Sequence, residues 1–324
     1  MGSFGVDIFF ALSGLLITSR LLDEEAITGS LHLKGFYLRR FMRIQPVALL
    51  YLAVVALLAL AHRLPPDWSA LLAALLFFRN LVQFSGPTPD ASPGTWPTAH
   101  FWSLSVEEQF YLFLPIFLFI LRRGRGWFLM SLALVDILWY LRGLAVHHGQ
   151  LDVLSFRTDY SVHFLLLASA LAVFLRNEHV RSVCTRILRP GWIVPLTLAL
   201  LPDKSPLHIL LFLMPCLLVL SSALHPGKWL GRFLESRPLR FAGRISYSLY
   251  IWQMIFLSGF FAPSLHTFGN MQRVWLFLPL TVLTAYLSYR YIEKPFIRLG
   301  HRLAPPATAG RPELLDPLDA ATAG

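Results

Sequence analysis

Mainly apolar runs recur along the whole chain, most of them near the 17–25 residues that a helix needs to cross a bilayer. They fall at 5–22, 46–62, 101–121, 127–142, 160–176, 192–202, 207–224, 241–261 and 274–291, the run at 192–202 being short and closing at Pro202. A further apolar stretch, 70–84, is interrupted by Arg79 and Asn80. Only 14% of the 324 residues are charged, against roughly a quarter in soluble domains. Mean hydropathy is +0.58. The pattern predicts an all-α fold, a polytopic transmembrane helical bundle of nine spans plus one re-entrant segment at 70–84.

Loop charges orient this map. The net charge of +10 reads as the Lys and Arg excess of cytoplasmic loops rather than a nucleic-acid footprint. One set of loops holds most of it: Arg20 to Arg43, Arg122 to Arg125, Arg176 to Arg189, Lys228 to Arg244, and Arg290 to Arg302. The opposite set has only Arg63, Arg79, Arg142, Arg157, Lys204 and Arg273. This asymmetry predicts a cytoplasmic C-terminus, and it requires 70–84 to enter and leave on the outer side. No signal peptide is expected, since Met1 lacks a basic flank. Residues 303–324, rich in Ala, Pro, Thr and Gly, read as a disordered tail behind a 1–302 transmembrane domain. The two cysteines, Cys184 and Cys216, are expected to stay unpaired, and no metal-ligand spacing occurs.

Four clusters carry chemistry. Gly5-Val6-Asp7-Ile8-Phe9-Phe10 places an acid in a hydrophobic span, a cost that marks a functional interior. Arg40 and Arg43, with Arg39 beside them, share a helix face; paired guanidiniums suit a phosphate ester or simply anchor the helix among headgroups. Ser103, Glu107 and Tyr111 recur every four residues and line one polar face. Glu108 lies about 100° away and is expected at a headgroup or a cap. Tyr247, Tyr250 and Gln253 form a stripe that either bonds a polar substrate, glues helices together or sits in an interfacial aromatic belt. His100 is either a satisfied interface histidine or an acceptor-side residue.

Taken in order, Gly-Val-Asp-Ile-Phe-Phe…Ser-Gly, Arg-Arg-Phe-Met-Arg-Ile…Pro, Phe-Trp-Ser-Leu-Ser-Val-Glu-Glu-Gln-Phe-Tyr, Tyr-Ser-Leu-Tyr-Ile-Trp and Ile-Glu-Lys-Pro-Phe resemble the acyltransferase 3 family. These are integral-membrane O-acyltransferases of bacterial surface sugars. The resemblance implies transfer of an acyl group, commonly acetyl from acetyl-CoA, to a hydroxyl of a carbohydrate or lipid-linked glycan at the bacterial inner membrane. No bound cofactor is expected; acyl-CoA is the donor substrate, membrane lipids the surroundings, and nucleic acid no partner. Glu107 and Asp7 would be catalytic, Arg39, Arg40 and Arg43 would hold CoA, and Ser103, Tyr111, Tyr247, Tyr250 and Gln253 would meet acceptor or acyl group. Glu293 is expected to pair with a cytoplasmic Arg. The family places a proposed catalytic His on a span ahead of the Gly-Val-Asp motif. None of the eleven histidines matches it, so the chain reads as lacking that helix, with a non-catalytic relative or a flippase-like transporter as the alternative.

Overall fold

The computed structural model describes residues 2–64, 66–82, 96–146, 161–201, 212–261 and 274–305. The regular elements among them are all helical: α1 (Gly2–Thr28), α2 (Leu33–Leu60), α3 (Trp68–Leu75), α4 (Phe101–Ile120), α5 (Arg125–Val146), α6 (His163–Phe174), α7 (Glu178–Ile187), α8 (Pro190–Leu200), α9 (Met214–Leu224), α10 (Trp229–Leu234), α11 (Arg237–Phe261), α12 (Val274–Ser288), a π turn (Tyr289–Glu293) and α13 (Lys294–Leu303). Among the described residues, Phe4–Thr28, Leu33–Leu60 and Phe101–Ile120 are long and apolar enough to cross a membrane. The pair α7 and α8, bent by 60° where Arg189-Pro190 breaks the helix, adds a fourth candidate, while α6 and α9 are apolar but shorter. The expected count of nine spans is therefore met only as far as three or four. The predicted tail lies almost wholly outside the described residues, at 306–324.

Two apolar cores meet at α4. Phe101 and Leu104 pack with Val47, Tyr51, Ala70, Ile251 and Trp252. Val106, Phe110 and Leu114 pack with Phe10, Leu15, Leu165 and Leu220. Outward faces stay apolar too, with Leu57, Leu60, Phe113, Ile120 and Leu138 exposed, as lipid contact requires.

Small residues set the closest approach. α1 and α6 run side by side in the same direction, Gly14 against Leu165 and Arg176 against Ser19. A Cβ on Gly14 would stand 2.5 Å from the Leu165 carbonyl oxygen. Ser169 donates to the Gly14 carbonyl at 3.2 Å. Such small-residue contacts let backbones pack by dispersion where lipid offers no hydrophobic drive.

Prolines shape the polar interior. Pro46 in α2 and Pro115 in α4 remove helical donors. Near each, a tyrosine hydroxyl bonds a carbonyl of the preceding turn: Tyr247 to Ile44 at 2.7 Å and Tyr37 to Leu112 at 2.7 Å. Ahead of Pro295, the Lys294 amide reaches back five residues to the Tyr289 carbonyl. The resulting π turn places Glu293 inside, 3% exposed.

The segment expected to be re-entrant begins with α3, about 12 Å long and too short to cross. Asp67 caps it, accepting from the Ala70 amide at 2.9 Å. It closes with Phe77 in the left-handed region at φ 56°. There the Phe78 amide bonds the Ala73 carbonyl and the Phe77 amide that of Ala74, the Schellman pattern. Arg79 and Asn80 follow, both buried.

Candidate functional site

The central feature is a buried charge cluster between α2 and α4. Glu107 is 1% exposed. Its Oε1 accepts from the Tyr111 hydroxyl one turn on, at 2.8 Å, and Ser13 of α1 also reaches both groups. Arg40 crosses from α2, its Nε 3.4 Å from Glu108 Oε1 and its Nη2 3.9 Å from Glu107 Oε2. Its guanidinium carbon lies 3.8 Å from the centre of the Tyr111 ring, a cation–π contact strengthened by desolvation. Arg40 is thus engaged by two carboxylates and a phenol ring. The expectation that Glu108 faces a headgroup or a cap is corrected: it pairs with Arg40, whose guanidinium reaches both adjacent carboxylates.

The three arginines expected at CoA separate. Arg39 is occupied, bonding the Ala304 carbonyl at 3.2 Å and Glu24 at 3.4 Å. Arg43, one turn from Arg40 and within electrostatic range of Arg40 and Glu293, has no hydrogen bond or ion pair within 4 Å among the described residues. Of the three it is the guanidinium left open to a ligand. Glu293 accepts from Ser248 at 2.6 Å, so the expected arginine partnership operates only at longer range, with Ser248 as the direct contact.

A second polar chain runs along α4 toward its start. Ser103 and Tyr250 hydroxyls lie 2.5 Å apart. Tyr250 donates to the His100 carbonyl at 2.8 Å. Tyr247 is held by Ile44, as described above, and Gln253 makes no hydrogen bond among the described residues. The expected stripe therefore divides into two tyrosines that tie α11 to α2 and α4, and one free amide. Asp7 stands apart from Glu107 on α1, in the field of Tyr140 and Cys216. Asp7 on α1 and Glu107 on α4 therefore have different polar neighbours. Both cysteines are free.

Sequence reading missed two features. Asp136 Oδ2 accepts from both the His163 main-chain amide at 3.0 Å and its Nδ1 at 2.8 Å. This clamp joins residues 27 apart, so no local motif announces it. The second is the acidic end of α1: Asp23, Glu24 and Glu25 pair with Arg176, Arg39 and Arg125 at 2.7, 3.4 and 2.6 Å. Carboxylates at a helix C-terminus oppose its dipole, a signal that could have predicted basic loops beside them. These pairs gather the basic loops at one end of the bundle.

Apolar outward faces around a buried acid–guanidinium–phenol cluster define a membrane protein with a charged interior site. The chain belongs to the acyltransferase 3 family, whose acyltransferase domain matches residues 1–291. It is 30% identical over 326 residues to "Putative O-acetyltransferase SACOL0978" of Staphylococcus aureus strain COL, covering 92% of this chain and 53% of that protein. O-acetyltransferase OatA of S. aureus strain NCTC 8325 is 29% identical over 329 residues, 93% of this chain and 53% of the relative. The chain spans about half the length of these relatives. No solved structure matches.

Proposed function

We propose that this chain transfers an acyl group, acetyl in the first instance, from acyl-CoA to a carbohydrate hydroxyl. Family membership supports the reaction class. The observation that carries the chemistry is the buried Glu107, bonded to Tyr111 and flanked by Arg40, with Arg43, which has no hydrogen bond or ion pair among the described residues, one turn away. An alcohol attacks a thioester slowly unless a base takes its proton as the O–C bond forms. The C–S bond then breaks, and the thiolate leaves as CoA thiol with that proton. In this reading Glu107 holds the proton or orients the group that does. Arg40 holds Glu107 in place, and Arg43 receives a CoA phosphate. The end of the bundle carrying the basic loops and α13 faces the cytoplasm, where CoA resides, in the inner membrane.

Purified protein in detergent, given acetyl-CoA and an oligosaccharide, should release free thiol, detected colorimetrically. Glu107→Gln should reduce release at least about 100-fold, the scale of a lost acid–base group. Arg43→Ala should chiefly raise the KM for acetyl-CoA, about ten-fold for one charge-assisted contact. Absence of thiol release from the folded wild type would sink this reading in favour of a transporter, and release indifferent to both substitutions would overturn the roles given to Glu107 and Arg43.

A further inference from the structure

At the opposite end of the bundle from the basic loops, buried polar atoms without partners concentrate around one tyrosine. Tyr51 donates to the Pro97 carbonyl at 2.6 Å. Its ring meets those of His100 at 5.4 Å and Trp252 at 5.6 Å. The Trp252 Nε1 has no acceptor. Arg79, 2% exposed, gives Nε to Thr98 at 3.3 Å, while its Nη1 has none. Asp67 uses Oδ1 to cap α3, and its Oδ2 is bare. Both His100 nitrogens lie near the Pro97 and Ile251 carbonyls without reaching hydrogen-bond geometry. Arg79 lies within electrostatic range of Asp67 and His100, yet no ion pair closes.

Leaving such groups without a protein partner is costly, and a ligand that relieves the cost must match their mixture. An anion would suit Arg79 and be repelled by Asp67. A metal cation would suit Asp67 and be repelled by Arg79. A neutral polyhydroxyl compound both accepts from Arg79 and Trp252 and donates to Asp67. We propose that Asp67, Arg79, His100 and Trp252 form the binding site for the sugar acceptor. The inference rests on the acyl-transfer reading for the direction of reaction. The site adjoins it through the His100 carbonyl, Tyr250 and Ser103, one helical turn before Glu107. In this arrangement acceptor and donor approach Glu107 from opposite ends.

The test is saturation-transfer NMR of cellobiose and chitobiose with the full chain in detergent, in wild type, Asp67→Asn and Trp252→Phe. Asn can still cap α3, and Phe keeps one six-membered aromatic ring while losing the pyrrole portion that carries the N–H; the thermal midpoint verifies folding in each. Sugar-ring protons should receive saturation in the wild type, and each substitution should weaken binding about ten-fold, as for one buried hydrogen bond lost. Absence of saturation for both disaccharides, or equal binding by folded variants, would overturn the site. Failure of the donor chemistry would show separately, as absent thiol release from acetyl-CoA with sugar binding intact.

Discussion

Arg40 and Arg43 are three residues apart and chemically identical, yet the fold gives them opposite situations. Arg40 is enclosed by two carboxylates and a phenol ring. Removing it leaves buried negative charge uncompensated, a loss of about 3–5 kcal/mol. Arg40→Ala should therefore lower the thermal midpoint in detergent by many degrees. Arg43→Ala should leave the midpoint nearly unchanged while affecting acyl-CoA affinity. Matched midpoints for the two variants would mean that Arg40 is less engaged than its contacts indicate. The same distinction applies to His163, whose Nδ1 is held by Asp136. Its orientation is set by that clamp, since Asp136 holds both the ring Nδ1 and the main-chain amide.

At the scale of the element, the helix ends are as informative as the helices. His62 closes α2 at φ 54°, with the Arg63 amide bonding the Leu58 carbonyl and the His62 amide that of Ala59. A non-glycine residue in this region costs about 1 kcal/mol. His62 is exposed, so its side chain offsets little of that cost, and His62→Gly is expected to stabilise by about 0.5–1 kcal/mol, read as a rise in thermal midpoint. Gly14 predicts the reverse. Any side chain there meets the Leu165 carbonyl, and Gly14→Leu should separate α1 from α6 and abolish the folded, monodisperse peak in size-exclusion chromatography. The ends of α2 and α3 were not visible to the eye that looks for glycine, because His62 and Phe77 occupy the positions where glycine is the usual signal.

Across the whole molecule, the basic loops share one end and the Asp67–His100 region lies at the other. A membrane-impermeant maleimide applied to intact cells should label Trp68→Cys and spare Arg302→Cys until the membrane is opened; the opposite pattern would invert the proposed orientation. The ion pairs that collect the loops are not equal. Asp23 and Arg176 are both nearly half exposed, and exposed pairs contribute about 0–1 kcal/mol. Asp23→Asn should thus leave stability and activity close to wild type.

The family, the all-helical membrane class and the one-in-four spacing of Ser103, Glu107 and Tyr111 were legible in the amino-acid sequence, because hydrophobic periodicity and helical spacing are local properties. So was the burial cost at Asp7 and Glu107, since an acid in an apolar run declares itself. What only the tertiary structure decided was pairing between distant segments. It assigned Glu108 to Arg40, left Arg43 open, joined His163 to Asp136, set His100 and Trp252 against Tyr51, and brought Arg79 within range of Asp67 and His100. Each of these depends on which helices cross and at what height. That is set by close approach at residues such as Gly14 and by helices loosened at Pro46 and Pro115, and no periodicity along a single helix encodes it.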